Sequence, residues 1–537
     1  MTAAEIASRK DSRSLTRPAH EPWRTMSAYG GVALGAVAMA IVALVIHGYR
    51  LSQSPDVIVD ETVYYLVAHS VQVGTGLAFH PLPGNNPFFW QPPLFFVVEA
   101  GWLSNFGSSG GDLFHALYAA RFLNVVIAAL TAAGIVVLGS RLWDAKAGVL
   151  MSALYVLDPF IQRGTRRNML EPLAGLFLLV TVLLILRYVD VRRRRWLIAA
   201  GVSAGLALLS KEIAFFVLAV PFGLAVFERF RTWLLNGVLM AATAGAVYLV
   251  YPLWAFAIGA GDAFIGYKAY QLSRFAGIVQ ITGWNQPAGA SGRPSYLDAL
   301  GVNVPLYGSS YTLIALGGLT LLGLLVFQRR DPRMRVLLTW GGVTYVNFSF
   351  IILRGQLNDQ FFYLLVLPAA VLAGYLARAS LGVLAGYLRR VGEARAIAVP
   401  GATITLIALI ATQTFGASLY VRDTVIGSDD AYYQAYAFLR KTVPPGQAVL
   451  VDTEAADYLF RDYAITRTRD LRALIDQNVR FFVLSDKAQW GRFDGISPTF
   501  YDWIATNSRE IFEVRGNTFW TVRVFERVGS SIRPRSQ

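Results

Sequence analysis

Residues Ala28–His47, AYGGVALGAVAMAIVALVIH, form a continuous apolar run that contains no Asp, Glu, Lys or Arg. A helix of about 20 apolar residues, at 1.5 Å per residue, is as long as the hydrocarbon core of a bilayer is thick. It therefore predicts a membrane span. Ten further apolar runs follow it, near residues 114–140, 145–160, 170–188, 196–210, 212–227, 232–256, 303–327, 336–353, 360–378 and 396–418. Together they predict an all-α polytopic membrane protein with about eleven transmembrane helices.

The composition supports this class. Hydrophobic residues make up 55% of the 537 residues and charged residues 15%, with a mean hydropathy of +0.46. Soluble domains contain about 25% charged residues, and a soluble globule this apolar leaves large apolar patches in water. A purely soluble enzyme and a disordered chain are therefore excluded. The chain has no cysteine, which excludes a disulfide framework, a zinc ribbon, a thiol nucleophile and an iron–sulfur cluster.

The excess positive charge indicates orientation. The chain has 48 Lys and Arg against 34 Asp and Glu, a net charge of +14, and the excess lies mostly in short loops between the apolar runs. This is the distribution of the positive-inside rule, and it favours a membrane protein over a nucleic-acid-binding one. Starting from a cytoplasmic tail, residues 1–27, alternation of the spans places every dense arginine loop on the cytoplasmic side. We therefore expect membrane lipids, and no nucleic acid, as partners.

The same alternation predicts the outer side. The transmembrane domain would cover 28–421, with four outer segments, 50–113 (outer loop one), 159–170, 257–302 and 354–359. Within outer loop one, 88–106 is too short and too interrupted for a comfortable span, and we interpret it as a helix at the membrane interface. Residues 422–537 contain no spanning run and alternate helical with β-rich patterns. They predict an extracytoplasmic α/β domain with a mixed sheet.

Two carboxylates, Asp60 and Glu61, follow the first span. One interpretation is structural: Asp60 is a helix N-cap and Glu61 lies in the first turn. The other is that one carboxylate is a general base facing a pocket. A spacing of four residues puts Asp60 and Tyr64 on one helical face, where the tyrosine could orient the base or a substrate.

Further ionisable residues interrupt the outer ends of later spans. Arg163, Arg166 and Arg167 break the positive-inside pattern, and binding a phosphate or pairing with Glu171 or lipid headgroups would explain them equally well. Glu171 opens a span close to membrane depth, which makes it a functional candidate. Lys211 is followed directly by Glu212. The two either form a structural pair or leave the lysine to bind a lipid phosphate.

The last candidates lie in the two later outer loops. The segment 257–302 contains Arg274 and a Gly-rich run, 283–292, typical of a mobile loop. Tyr363 follows the segment 354–359. A cation-rich outer pocket with one or two carboxylates suits a lipid-phosphate donor and a hydroxyl acceptor.

The order of these residues resembles the GT-C glycosyltransferases of the protein O-mannosyltransferase and 4-amino-4-deoxy-arabinose lipid A transferase type. The resemblance covers roughly residues 28–380. It rests on the following pieces in chain order: Asp60-Glu61 with Tyr64, Pro92-Pro93-Leu94, Arg121-Phe122-Leu123, Arg141-Leu142-Trp143, Asp158-Pro159, Glu171, Gly205–Lys211, Arg274-Phe275, and Tyr363 ahead of Pro368. The lipid A branch has an acidic and a basic residue just before its Pro-Pro, where this chain has Trp90 and Gln91, so that branch's metal site is not carried over.

The resemblance implies an inverting glycosyltransferase of the bacterial cytoplasmic membrane, with N-terminus inside and site outside. Its donor would be a sugar on polyprenyl phosphate, and its acceptor a lipid, glycan or protein. Asp60 corresponds to the catalytic carboxylate, Lys211 and Arg274 to groups that hold the lipid phosphate, and Glu171 to a second acidic position. Glu61, Tyr64 and Tyr363 are further candidate substrate-binding residues. No cofactor is assigned, and participation of a divalent cation stays open.

A transporter or flippase of lipid-linked sugars is the alternative function. A transporter is expected to have inverted halves and charged residues at mid-membrane. The sequence has neither feature, and its ionisable residues cluster at the outer ends of the spans.

Overall fold

The computed structural model describes residues 22–79, 87–107, 113–276, 278, 301, 304–327, 330–353, 362–389, 398–452, 456–466, 470–486 and 498–528. The Gly-rich run 283–292 and the segment 354–359 lie outside the described residues. The helices of the membrane region are α1 (Pro22–Gly48), α2 (Val59–Gln72), α3 (Leu94–Phe106), α4 (Leu113–Leu142), α5 (Ala145–Leu157), α6 (Pro159–Thr165), α7 (Glu171–Val191), α8 (Arg194–Ser210), a 3₁₀ helix (Glu212–Ala219), α9 (Val220–Phe227), α10 (Phe230–Tyr248), α11 (Val250–Ala257), α12 (Gly261–Phe275), α13 (Val304–Phe327), α14 (Pro332–Leu353), α15 (Phe362–Arg389) and α16 (Ala398–Tyr420).

In each of the eleven apolar runs the described residues are mainly helical, so the predicted fold class is confirmed. Seven helical segments of the described residues are long and apolar enough to cross a membrane, and three shorter apolar helical segments, Leu94–Phe106, Ala145–Leu157 and Glu212–Phe227, fall below that length. The exact number of crossings stays a prediction. The run 212–227 differs from a simple span because it begins as a 3₁₀ helix and becomes α-helical only at Val220.

The membrane helices pack closely where glycines remove side chains from their contact faces. A Cβ atom on Gly205 of α8 would lie 2.8 Å from the carbonyl oxygen of Ala244 on α10, and one on Gly148 of α5 would lie 2.3 Å from that of Val136 on α4. Small residues at such crossings let two backbones approach each other. The crossing at Gly205 holds the C-terminal half of α8, and thereby fixes the position of Lys211.

The C-terminal region forms the predicted mixed sheet. Its strands are β1 (Ala448–Val451), β2 (Ala464–Thr466), β3 (Phe481–Ser485), β4 (Ser508–Arg515) and β5 (Thr521–Arg527), and its helices are α17 (Ala431–Thr442), α18 (Ala456–Leu459), α19 (Leu471–Asp476) and α20 (Pro498–Asn507). The spatial order is β2-β1-β3-β5-β4. The pairs β1–β2 and β1–β3 are parallel, whereas β3–β5 and β4–β5 are antiparallel. Strand β2 could not be predicted from the sequence, because three residues are too few to show a period.

The C-terminal domain packs against outer loop one. Asp429 donates its backbone N–H to the carbonyl of Gln53 (2.7 Å), and the backbone N–H of Tyr432 donates to Asp56 Oδ2 (3.0 Å). The rings of Phe79 and Tyr458 pack edge to face at 5.5 Å between centroids. These contacts put the sheet and α2, which carries Asp60, at the same end of the helix bundle.

Candidate functional site

The helix α2 carries the two loop-one carboxylates in its first turn. It begins after Ile58, whose backbone is extended and whose N–H donates to Glu61 Oε1 at 3.3 Å. The N-cap is therefore Ile58 and not Asp60, which corrects the structural interpretation above. Carboxylates in the first turn favour helix formation at this point because they interact with the positive end of the helix dipole.

Glu61 is fully buried and fully engaged. Its carboxylate accepts two hydrogen bonds from Arg121 on α4, at 2.7 and 2.9 Å, and one from the backbone N–H of Asn168 at 2.9 Å. Arg121 in turn donates to the carbonyl of Pro55 at 2.8 Å. These bonds tie the start of α2 to α4 and to the turn before α7. The sequence predicts that Glu61 contacts the substrate. These protein contacts instead suit a residue that holds the neighbouring Asp60 in a fixed orientation.

Asp60, Tyr64 and Glu171 act on one another electrostatically. Tyr64 is buried, and Asp60 is partly buried one helical turn before it. Burial, and then the negative charges of Asp60 and Glu171, raise the pKa of the Tyr64 phenol well above its usual value. Tyr64 therefore stays a neutral hydrogen-bond donor beside two carboxylates. The predicted shared face of Asp60 and Tyr64 is confirmed.

Lys211 and Glu171 form a buried ion pair. The distance from Lys211 Nζ to Glu171 Oε1 is 2.6 Å, and both side chains are buried. Glu171 is the first residue of α7, and Lys211 is the extended residue between α8 and the 3₁₀ helix. Glu171 Oε2 has no hydrogen-bond donor among the described residues. The pair thus places the ammonium of Lys211 and the unpaired Oε2 of Glu171 together, at the end of α8 and the start of α7.

Glu212 does not pair with Lys211. Its Oε1 lies 2.8 Å from Nζ of Lys268 on α12, and it accepts a hydrogen bond from Tyr248. Burial lowers the pKa of Lys268, and the charge of Glu212 opposes that shift. The structural Lys211–Glu212 pair considered from the sequence is therefore wrong. Adjacent residues in an extended-to-helical turn point in different directions, so the two charges find separate partners.

Lys268 also anchors the aromatic segment that precedes the Pro-Pro. Its ammonium donates to the backbone carbonyl of Phe89 at 3.0 Å. Tyr251 donates its hydroxyl to the carbonyl of Gln91 at 3.1 Å, and the rings of Trp90 and Tyr267 pack at 5.3 Å. Trp90 therefore contributes its ring, and Gln91 its backbone carbonyl, to the packing of outer loop one on α11 and α12.

Arg274 lies at the end of α12, on an edge of this arrangement. Its guanidinium lies 5.9 Å from the Tyr270 ring, and its Nε is buried without a hydrogen-bond partner within the described parts of the chain. The next residue, Phe275, packs edge to face on Phe215 of the 3₁₀ helix, 5.7 Å between centroids. In the part of the chain that the structure describes, no ion pair or hydrogen bond joins Arg274 to Lys211 or Glu171. The sequence predicts that Lys211 and Arg274 come together in one pocket. In the structure, the segments that carry them contact each other through Phe215 and Phe275.

Tyr363 lies inside the bundle. Its ring is buried against the backbones of Gly164 and Gly175, where an added Cβ would come within 2.9 and 3.2 Å of the ring. Its hydroxyl shares a hydrogen bond with that of Tyr155. Glu171 begins the same helix as Gly175. Tyr363 thus packs behind Glu171, which differs from the expected contact with substrate.

The three arginines of the 159–170 turn have protein partners. Arg166 is buried and donates to the carbonyls of His47 and Tyr49 at 3.1 and 2.9 Å, which caps the end of α1. Arg167 Nε lies 3.8 Å from Glu61 Oε1, and Arg163 Nη2 lies 3.8 Å from Asp429 Oδ2. Each of the three arginines thus has a protein partner, and binding of a phosphate or of lipid headgroups by them stays a prediction.

Sequence reasoning did not find Glu99, which is fully buried on α3. Its Oε1 accepts from Asn168 Nδ2 at 2.6 Å, and Oε2 has no partner in the described residues. Burial, together with the charge of Glu61, raises the pKa of Glu99 to about 8 against the opposing bond from Asn168. A single carboxylate inside the apolar helix Leu94–Phe106 was the signal that could have identified it.

An apolar groove opens beside the site. It has a volume of about 720 Å³ and lies between the 3₁₀ helix, α9, α13 and α14. Its wall includes Phe215 and Phe275, which adjoin the segments of Lys211 and Arg274, and Leu322 and Val346 farther along. No polar group dominates this surface, so the groove suits a hydrocarbon chain. Within the described residues, no group of three or more His, Asp or Glu side chains could hold a metal ion.

Comparison with known proteins agrees with this architecture. Residues 107–256 match the family described as dolichyl-phosphate-mannose-protein mannosyltransferase. The chain has no significant match among curated protein sequences. The apo structure of ArnT from Cupriavidus metallidurans superposes with a TM-score of 0.51 and 15% identity, over 94% of this chain and 98% of that one. The oligosaccharyltransferase of Archaeoglobus fulgidus, crystallised with zinc and sulfate, gives a TM-score of 0.53 and 14% identity, over 90% of this chain and 72% of that one. The predicted resemblance is thus confirmed, and this chain has the GT-C fold of membrane glycosyltransferases.

Proposed function

We propose that this chain is an inverting glycosyltransferase that moves a sugar from a polyprenyl-phosphate donor to a lipid, glycan or protein acceptor. It would act at the outer face of a bacterial cytoplasmic membrane. The observation that carries the proposal is the buried Lys211–Glu171 pair. Glu171 acts electrostatically on Tyr64, as Asp60 does, and Lys211 directly precedes the 3₁₀ helix that borders the apolar groove. The ArnT structure bound to undecaprenyl phosphate supports the donor class, with a TM-score of 0.50 at 17% identity over 95% of this chain and 99% of that one.

In this proposal Lys211 receives the donor phosphate. Before the donor binds, Glu171 pairs with the lysine and holds it in position, because a buried cation needs a partner. The phosphate then takes over part of that role. Arg274 supplies a second cation from the end of α12, where its buried Nε lacks a partner among the described residues. The polyprenyl chain lies in the groove lined by Phe215 and Phe275.

Asp60 is the proposed general base. The acceptor hydroxyl oxygen forms a bond to the anomeric carbon as the bond from that carbon to the phosphate oxygen breaks. Asp60 takes the hydroxyl proton, and the polyprenyl phosphate leaves with the electron pair. Attack from the side opposite the phosphate inverts the anomeric configuration. A general base contributes about 10²- to 10⁴-fold to such a step.

The cations stabilise the leaving group. Negative charge accumulates on the phosphate as the bond breaks, and Lys211 is already placed where that charge develops. Preorganised charges in a site with little water are often the largest contribution to catalysis. Tyr64 remains neutral and can donate a hydrogen bond to the sugar or to Asp60.

We assign positioning roles to Glu61 and Tyr363. Glu61 has both oxygens engaged by Arg121 and Asn168, which supports a role in directing Asp60. Tyr363 supports the start of α7 and so the position of Glu171. The proposal assigns no metal-binding residue and no cofactor.

The experiment that tests the function is transfer of a radiolabelled sugar from a polyprenyl-phosphate donor by the full chain in nanodiscs. The Asp60→Asn variant should lose about 10²-fold or more in kcat and keep its affinity for the donor, since it removes only the base. Asp262→Asn, which removes an exposed carboxylate from the first turn of α12, is the matched control. A wild-type rate for Asp60→Asn would contradict the assignment. Flipping of intact donor across the bilayer without any transfer would favour the transporter alternative.

A further inference from the structure

The C-terminal domain contains a second pocket, on the face of the sheet covered by α20. Strand β5 alternates: Val522 and Val524 face α17, whereas Phe525 packs under α20, with its ring 6.2 Å from that of Tyr501. Because α20 covers only part of this face, it leaves the region around Arg523 and the edge strand β4 open. The resulting pocket has a volume of about 630 Å³. That is within the range of about 300–1,000 Å³ for small-ligand sites.

The pocket combines an aromatic wall with fixed polar groups. Its lining includes Asp486, Tyr501, Ser508, Glu510, Trp520 and Arg523. Arg523 lies at the centre, because its Nη1 bonds Asp486 and the Tyr501 hydroxyl (3.1 Å), and its Nε lies 3.4 Å from Glu510 Oε2. Each carboxylate keeps lone pairs after pairing with the arginine. The pocket therefore presents carboxylate hydrogen-bond acceptors, Asp486 and Glu510, whose two negative charges are partly offset by the single arginine, which also bonds Glu513 at 3.1 Å.

Two further observations point to a ligand. The Ser508 hydroxyl lines the pocket, is buried, and has no hydrogen-bond partner in the described residues. Buried polar groups are normally paired, so an unpaired one marks a place for a missing partner. Trp520 has a positive φ of 62° and leaves 43% of its surface exposed. Strained residues of this kind concentrate at functional sites.

We propose that this pocket binds a saccharide, and that it holds the sugar portion of the acceptor. A flat indole beside two carboxylates that are paired with an arginine, together with a hydroxyl, matches a ligand with one apolar face and a rim of hydroxyl groups. A cationic ligand fits less well, because Arg523 already occupies the centre of the carboxylates. The assignment of the acceptor to this pocket rests on the proposed transferase function, whereas the binding of a saccharide does not.

The pocket is connected to the catalytic end of the molecule. The turn between β4 and β5 carries both Trp520 and Thr518. Thr518 accepts hydrogen bonds from Arg163 (3.0 Å) and Arg167 (3.2 Å), and Arg167 lies 3.8 Å from Glu61. A sugar held at Trp520 therefore lies on a domain that is bonded directly to the segment that positions Asp60.

The test is saturation-transfer difference NMR on the full chain in phospholipid nanodiscs, since maltoside detergents carry sugar themselves. The probes are methyl mannoside, methyl arabinofuranoside and methyl N-acetylglucosaminide, with trilysine as the cationic probe. We expect wild type to bind at least one glycoside. Trp520→Ala and Glu510→Gln should bind it about tenfold more weakly, as expected for loss of a central contact. Glu526→Gln, which removes a carboxylate of the neighbouring strand β5 outside the pocket lining, should bind normally, and the Asp60→Asn variant should also bind normally.

No glycoside binding by wild type, or undiminished binding by both pocket variants, would overturn the inference. Binding of trilysine in place of the glycosides would overturn it in favour of a basic peptide. Glu510→Gln leaves the backbone around Trp520 unchanged, so it tests the pocket even where Trp520→Ala fails to fold. Glycoside binding without any sugar transfer would overturn the proposed transferase and leave this pocket standing. With a glycan acceptor, the pocket variants should raise the acceptor KM and leave kcat unchanged.

Discussion

Nζ of Lys211 lies 2.6 Å from Oε1 of Glu171, with only 5% and 2% of the two side chains exposed. The two residues are 40 positions apart in the sequence and belong to the ends of different helices, α8 and α7. A cation buried this deeply must have a partner, because isolating its charge from water is very unfavourable. Glu171 therefore stabilises the buried ammonium of Lys211, the residue proposed to bind the donor phosphate, before any donor arrives.

Removing the lysine should affect both stability and donor binding. Lys211→Met leaves Glu171 buried without its partner, which costs about 3–5 kcal/mol. We expect a lower melting temperature and a donor KM raised about 10- to 100-fold, the equivalent of one lost charge-assisted hydrogen bond of about 1.5–3 kcal/mol. Thermal shift and initial-rate kinetics measure the two effects.

A double variant separates those two effects. Lys211→Met with Glu171→Leu removes both charges, and apolar replacement of a buried pair is often neutral for stability. The melting temperature should therefore recover while the donor KM stays raised. Recovery of both quantities would contradict the role of Lys211 in donor binding.

Breaking the Glu61–Arg121 ion pair should lower the stability of the folded protein. Arg121→Gln leaves Glu61 without its bidentate partner in a fully buried position, and we expect a loss of about 3–5 kcal/mol. Arg333→Gln is the matched control. It breaks an ion pair with Asp190 at 3.0 Å whose side chains are 48% and 21% exposed, and such pairs contribute at most about 1 kcal/mol. Equal melting temperatures for the two variants would contradict the positioning role.

Filling the apolar groove should reduce lipid binding without disturbing the fold. Leu322 lines the groove on α13 and is largely exposed, so Leu322→Trp adds bulk where the proposed polyprenyl chain lies. We expect less polyprenyl phosphate to be retained in native mass spectrometry and a higher donor KM. Leu319→Trp introduces the same residue on the same helix outside the groove lining and should leave both measurements unchanged. Equal retention in both variants would place the lipid elsewhere.

The stability of the C-terminal domain should depend on pH through Asp452. Burial is the largest cause that raises the pKa of this carboxyl from 3.8 to about 6, against the hydrogen bonds from Ser485 and Tyr432. The folded state thus binds the proton more tightly than the unfolded state. The stability gained from the protonated form is fully present below pH 3.8 and is lost as pH rises through 6.

Comparison with Asp452→Asn isolates that dependence. The asparagine does not titrate, so the melting temperature of wild type should fall relative to the variant between pH 4 and pH 6.5. A shift of about two pKa units corresponds to about 3 kcal/mol. A constant difference between the two melting temperatures over this range would contradict the shifted pKa.

The eleven apolar runs and most elements of the C-terminal domain could be predicted from the sequence. Hydrophobic length and period depend on neighbouring residues alone, as α1 and the strand Phe481–Ser485 illustrate. The shared face of Asp60 and Tyr64 follows from the same local geometry. The strand β2 could not be found, because Ala464–Thr466 becomes a strand only through its pairing with β1.

Among the site residues, the unusual side chains can be identified from the chain alone: they are charged groups such as Glu61, Glu171 and Lys211 at the ends of apolar helices. Their partners become visible only in the folded molecule. In the folded structure Glu61 pairs with Arg121, Glu171 with Lys211, and Glu212 with Lys268. The physical reason is that a buried charge must find its counter-charge through space. Which charges pair is therefore determined by how the helices pack. The presence of the charges and of the helices, in contrast, can be predicted from the local sequence.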